Sequence, residues 1–260
     1  MDTIKPTRLE KFNQYSKNNG HTFVVRIKGT RRYLELLRDT IQANHTVNIS
    51  PIWPDQYYDY DFGLFINNAN EQLASQISAI LSLFERYLFL DDNLAQTFAL
   101  DYHMQYQGGR TKIGELVYQA KYQNGTIDQL VKHFLEFIEH HPLYHQADYI
   151  YGVPSSRSPL VQQLVTRLGR DLDKPIAPIV INKHPSNMKD LSLEEKFQQV
   201  GKIFETVRVD EQNLQGKHII LIDDIYQSGA TMNEIAQRLQ RYGATVYGLV
   251  ATKTHSQSNV

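Results

Sequence analysis

The sequence predicts an α/β protein: a parallel sheet flanked by helices, preceded by an additional N-terminal α/β region. Three observations carry this. From Asp148 onward, strand-like and helix-like segments alternate along the chain. The strand "IILI" (Ile219 to Ile222) is wholly apolar, as expected of a strand covered on both faces of its sheet. With 260 residues, 41% hydrophobic and 21% charged, the chain has both the length and the apolar content for a real core.

Residues 1 to 20 are polar and read as a loose or weakly helical lead. "HTFVVRIKG" is β-rich, and "TRRYLELLRDTIQAN" sets Tyr33, Leu36, Leu37 and Ile41 at helical spacing. "HTVNISPIW" reads as a second strand ended by Pro51 and Pro54, "PDQYYDYD" as an acidic tyrosine-rich loop and "FGLFIN" as a short buried strand. A long apolar helix is expected from Glu71. The order β-α-β-β-α resembles part of a ferredoxin-like sandwich.

Gly108 and Gly109 make the first strong break, which divides a region 1–107 from a domain 108–260. Two helices follow, Ile113 to Tyr122 and Ile127 to His140, closed by Pro142. Then come the strand "DYIYGVP", the helix "SPLVQQLVTRLGRDL", the strand "KPIAPIVI", the polar loop Asn182 to Lys189 and a helix over "SLEEKFQQVGKIF". After the strand ending at Asp224, a short loop opens a helix that stops at Gly243, and "TVYGLVA" is the last strand.

Bulk chemistry narrows the function classes. The net charge of −1 gives no general attraction to nucleic acid. The absence of cysteine excludes disulfides and thiolate metal sites, and fits a cytoplasmic protein. The polar N-terminus lacks a signal-peptide core, and no apolar run approaches membrane-spanning length. His133, His140, His141 and His145 lie close in sequence, but Pro142 interrupts their register and surface or helix-end positions are favoured over a metal site. Tyr57, Tyr58 and Tyr60 fit a partner surface or partial core better than a base-stacking platform.

The chemically pointed stretch is "HIILIDDIYQSGATMNEI". Asp223 and Asp224 fall at the carboxyl end of a strand, where parallel sheets bind ligands. Two adjacent carboxylates repel, so they call for a cation or for hydroxyl donors, and the cis-diol of a ribose supplies two. The loop from Ile225 to Thr231 enters a helix, so its amides can converge on an anion at the positive end of the helix dipole. Gly229 permits close backbone approach, while Ser228 and Thr231 offer hydroxyls. Together these describe a site for a sugar 5-phosphate. A plainer reading stands beside it: Thr231 and Glu234 form a T-x-x-E capping box, and Asp-Asp is a solvated turn.

"LIDDIYQSGAT" resembles the phosphoribosyl-pyrophosphate (PRPP) motif of type I phosphoribosyltransferases. Within them the chain is most similar to the ComF-like group over about Gly109 to Thr254, through "IGELVYQAKYQNG", "DYIYGVPSSRS" and "KDLSLEEKFQQVGKIF". The resemblance implies the type I phosphoribosyltransferase fold and Mg²⁺-dependent transfer of a 5-phosphoribosyl group from PRPP to a nitrogenous acceptor, releasing pyrophosphate. It implies that Asp223 and Asp224 hold the ribose hydroxyls, and that Gln227, Ser228, Gly229, Ala230 and Thr231 cradle the 5-phosphate. Gln227 stands where threonine is frequent in the family. Pro154, Ser155, Ser156 and Arg157 would form the pyrophosphate loop. Lys183 and Lys189, on a mobile loop, would join Arg157 in neutralising the leaving group. Mg²⁺ would be held mainly by pyrophosphate and water. The alternatives are a non-catalytic PRPP or nucleotide sensor and an accessory protein of DNA uptake or processing. A homodimer or a protein partner would use the N-terminal region.

Overall fold

Where apolar residues recur at three and four positions, helices form; where they run on or alternate, strands form. The structure, a computed structural model, describes residues 4–18, 22–55, 59–155, 158–177 and 214–255. The expected loop at 182–189 and helix at 192–204 lie outside the described residues, as do Tyr57, Tyr58, Ser156, Arg157, Lys183 and Lys189. The chain packs as two units, Thr7–Leu88 with Phe137–His145, and Met1–Pro6 with Phe89–Glu136 and Gln146–Val260.

In the first unit, β1 (Lys11–Lys17) and β2 (Thr22–Lys28) form an antiparallel hairpin, followed by α1 (Arg32–Gln42). The expected loose or helical lead is therefore corrected to a strand. β1 is an edge strand with no fully buried position and a lysine at each end, so its polar sequence hid its conformation. Pro51 splits the next strand into β3 (Asn48–Ile49) and β4 (Trp53–Pro54), both paired with β5 (Phe62–Asn67). α2 (Glu71–Arg86) begins where the Asn70 side chain accepts a hydrogen bond from the Leu73 amide. The sheet order is β1-β2-β5-β3, all antiparallel. The buried stripes Tyr33, Leu34, Leu37, Ile41 and Leu73, Ile77, Leu81, Phe84 are the core faces of the two helices.

In the second unit a six-stranded sheet has the order β6-β7-β11-β10-β8-β9. It comprises β6 (Leu88–Phe89), β7 (Gln96–Tyr102), β8 (Tyr149–Gly152), β9 (Ile176–Ala177), β10 (His218–Tyr226) and β11 (Thr245–Lys253). The pairings β7–β11, β11–β10, β10–β8 and β8–β9 are all parallel. The helices are α3 (Lys112–Tyr122), α4 (Asp128–His140), α5 (Pro142–His145), α6 (Leu160–Asp171) and α7 (Ala230–Arg241); Leu88, the last residues of α4 and all of α5 count with the first unit. Pro142 opens α5 at its first position, where no amide is needed, rather than simply closing α4. The unit takes in residues 89–107, ahead of the Gly108–Gly109 break.

Ile219, Ile220, Leu221 and Ile222 are fully buried, which explains their uninterrupted apolar run. α6 packs on β8, β9 and β10, and α7 on β10 and β11. The connection β8–α6–β9 steps toward one edge of the sheet, whereas β10–α7–β11 steps toward the other. With right-handed crossovers, such opposite steps put the two helices on opposite faces.

Candidate functional site at the carboxyl ends of β8 and β10

Opposite steps from neighbouring strands leave a crevice between β8 and β10, beyond their carboxyl ends. The Val153 amide donates to the Ile222 carbonyl at 2.8 Å, so the segment after β8 runs beside Asp223. Pro154 and exposed Ser155 follow directly, and the Ser158 hydroxyl accepts from the Leu160 amide at 3.2 Å to start α6. Two loops far apart in sequence are thus brought to one edge.

Asp223 and Asp224 occupy successive positions of β10, so their side chains leave on opposite faces of the strand. Asp223 Oδ1 accepts the Asp224 amide at 2.8 Å. Burial, and then the neighbouring Asp224 carboxylate, hold the Asp223 carboxyl well above the usual range; the Asp224 amide and Lys121 act in the other direction. The compensating cation is Lys121, whose Nζ lies 2.7 Å from Asp224 Oδ2, with side-chain exposures of 14% and 9%. The backbone of Asp224 is tied sideways: the Thr252 hydroxyl donates to its carbonyl at 3.2 Å, and His103 Nδ1 lies 3.2 Å from the same hydroxyl. Burial, then Arg110 and Lys121, push the His103 imidazole below its ordinary value, against the pull of Asp224.

The turn after β10 is braced from beneath. The Tyr226 hydroxyl donates to Asp92 Oδ2 at 3.0 Å, and Asp92 Oδ1 accepts from the Thr97 hydroxyl at 2.8 Å and the Leu94 amide at 3.0 Å. Burial raises the Asp92 carboxyl above its usual value despite these donors, and burial with Asp92 raises the Tyr226 phenol. Asn233 Nδ2 donates to the Gly229 carbonyl at 2.9 Å, and the Asn93 amide donates to Asn233 Oδ1 at 3.3 Å. Lys253, 2% exposed, donates to the Gln227 carbonyl at 3.0 Å and the Thr254 carbonyl at 2.6 Å.

Gly229 has φ +74° and is itself the N-cap of α7, so Ala230 and Thr231 open the helix. Thr231 therefore lies inside the helix, and the T-x-x-E capping box does not form. The amides of a helix's first turn have no intrahelical partner and face the loop side. Gln227 is exposed and Ser228 half-buried, with the Ser228 hydroxyl accepting from the Ala230 amide at 3.4 Å.

The sequence model described as "Phosphoribosyl transferase domain" matches residues 119–259, more than half of the chain. The chain belongs to the phosphoribosyltransferase domain family. Solved structures similar to it include an orotate phosphoribosyltransferase from Aeropyrum pernix, at 14% identity over 58% of this chain and 72% of that one, TM-score 0.33. A purine phosphoribosyltransferase from Pyrococcus horikoshii Ot3 shows 17% identity over 52% and 77%, TM-score 0.34. An adenine phosphoribosyl transferase from Trypanosoma brucei shows 19% identity over 51% and 67%, TM-score 0.33. Likeness at this level does not extend to a substrate. No curated protein matches the chain.

Within this family member, five residues at the site escaped sequence reading: Asp92, Lys121, Tyr226, Asn233 and Lys253. One of them carried a signal. Lys121 continues the buried stripe Ile113, Val117 at a spacing of four, an odd place for a solvated lysine.

Proposed function

We propose that this protein is a phosphoribosyltransferase that moves a 5-phosphoribosyl group from PRPP to a nitrogenous acceptor and releases pyrophosphate. The observation that carries the proposal is the meeting of two distant loops at one switch point. An acid pair and a glycine turn at a helix start end β10, and Pro154 and Ser155 follow β8 beside them. In this reading Asp223 and Asp224 accept the ribose hydroxyls. Gln227, Ser228, Gly229, Ala230 and Thr231 wrap the 5-phosphate with amides and hydroxyls. Pro154, Ser155, Ser156 and Arg157 receive the pyrophosphate, and Arg157, Lys183 and Lys189 neutralise it. The ComF-like segments around Lys121, Tyr151 and Phe197 favour that group within the family.

Among the described residues, no group of three or more His, Cys, Asp or Glu side chains converges to hold a metal ion. Mg²⁺ prefers oxygen ligands and keeps much of its water, so pyrophosphate and water would supply most of its shell and few dedicated protein ligands are needed. Bound with pyrophosphate, the ion would offset the charge of the leaving group. The chain's own contribution is positioning: carboxylates fix the sugar, and the turn fixes its phosphate, so that the anomeric carbon is presented in one orientation. No helix among the described residues is long and apolar enough to cross a membrane. We place the protein in the cytoplasm, with its first unit as the surface for a second copy or a protein partner.

The experiment is pyrophosphate release with PRPP, Mg²⁺ and a panel of nucleobases, nucleosides and amines. Acceptor-dependent release is expected. Tight PRPP binding with no release across the panel would replace the enzyme by a sensor.

A further inference from the structure

Lysine is almost never fully buried unless it is paired. Lys253 is 2% exposed at the carboxyl end of β11, between Tyr226 of β10 and Tyr102 of β7. Its ammonium donates to the Gln227 and Thr254 carbonyls at 3.0 and 2.6 Å, and lies 5.8 Å from the centre of the Tyr226 ring. Among the described residues no carboxylate pairs with it, and burial pulls it below the ordinary lysine value with no anion acting in the other direction. A cation held out of water in this way lacks a counter-charge. Its bond to Gln227 also fixes a peptide plane. In a planar trans peptide the carbonyl of one residue and the N–H of the next point opposite ways. Lys253 draws the Gln227 carbonyl toward itself, so the Ser228 N–H points away from it. The ammonium also polarises that peptide, which makes the Ser228 N–H a stronger donor. Asn233 does the same two residues on: the Gly229 carbonyl accepts from Asn233 Nδ2 at 2.9 Å and from the Asn233 amide at 2.8 Å, which turns the Ala230 N–H out of the helix.

We infer that Lys253 is a positioning residue for the phosphate end of the ligand: through the Gln227 carbonyl it turns the Ser228 amide toward the anion, and its buried charge is completed by a dianionic phosphate. This inference rests on the reading of residues 227–231 as the phosphate cradle. The effect passes through one peptide unit, so Lys253 acts without touching the ligand. Its charge favours an anion in proportion to that anion's own charge, because the two meet across a region poor in water. The Ala230 amide is aimed by the helix and by Asn233 rather than by Lys253, and so serves as a control within the same turn.

The test titrates the full chain with ribose 5-phosphate and with its 5-sulfate analogue at about pH 8, where the phosphate ester is a dianion and the sulfate ester carries one charge. Lys253→Met is expected to weaken binding of the phosphate ester about tenfold or more and that of the sulfate ester by less, so that the preference for phosphate shrinks. Lys253→Gln, equally uncharged, repeats the comparison if the methionine form does not fold. Amide NMR supplies a readout that a merely structural role would not move. In wild type, ribose 5-phosphate shifts the Ser228 and Ala230 amide resonances; in Lys253→Met the Ser228 response is expected to shrink while the Ala230 response remains. Equal losses for the two esters, no loss, or the disappearance of both amide responses together overturns the inference. If wild type binds neither ester, the phosphate reading of the turn fails and takes the inference with it. Wild-type binding that Lys253→Met leaves unaltered overturns the inference alone.

Discussion

Gly229 carries the most sharply defined cost in the molecule. At φ +74° it occupies the left-handed region, where any side chain costs about 1–2 kcal/mol. A Cβ built there would stand 2.0 Å from the Tyr226 hydroxyl, 2.3 Å from its ring carbon and 2.9 Å from Asn233 Nδ2. Tyr226 is 1% exposed and cannot swing into solvent, so relief means breaking its bond to Asp92. A hydrogen bond to a charged group is worth about 1.5–3 kcal/mol. Gly229→Ala is therefore expected to lower unfolding stability by about 3–5 kcal/mol and to abolish PRPP binding. The glycine thus serves the protein's own brace as well as the approach of a phosphate, so that stability and binding fall together. Urea unfolding with an unchanged slope, alongside calorimetric titration, reads both. A variant within about 0.5 kcal/mol of wild type that still binds PRPP would refute the reasoning.

Three further outcomes follow from other contacts. His141 is fully buried against Phe137 and Tyr144, and burial pushes its imidazole down to about 3. Its contribution is complete above the ordinary histidine value near 6.5 and is lost as pH falls toward 3, by about 1.4 kcal/mol per pH unit. Thermal melts between those limits should show that slope, and His141→Phe should lose it; an identical slope in the variant would rule out His141 as its source. Gly114 lies inside α3, where alanine ordinarily gains about 1 kcal/mol, but a Cβ there would stand 2.0 Å from the His103 carbonyl. Gly114→Ala should therefore destabilise by about 1–3 kcal/mol, and a stabilised variant in denaturant melts would contradict the contact. Tyr226→Phe keeps the ring but removes the brace to Asp92, so weaker PRPP binding than wild type is expected by calorimetry, and unchanged binding would separate the brace from the loop.

The parallel-sheet unit was legible where its strands are covered on both faces. The apolar run of β10 and the patterns of β8, α6 and α7 state their structure outright. β7 was not recognised: "QTFALDY" follows a long apolar helix, and its buried Gln96 and Thr97 look like loop residues. β1 was misread for the opposite reason, because an edge strand with half-exposed positions needs no alternation. At the site, local chemistry was readable and distant chemistry was not. Asp223, Asp224 and Gly229 are neighbours in one motif. Lys121 and Asp92 reach the same place only through tertiary contacts separated by about a hundred residues, and a single sequence has no way to pair them.

The central claim is that the end of β10 binds a ribose phosphate, and calorimetry with PRPP and Mg²⁺ on wild type and the Asp223→Asn, Asp224→Asn double variant tests it most directly. Each carboxylate–hydroxyl bond is worth about 1.5–3 kcal/mol, so the account predicts a loss of about 3 kcal/mol or more, over about a hundredfold in affinity. Equal affinity in wild type and a folded double variant would contradict it.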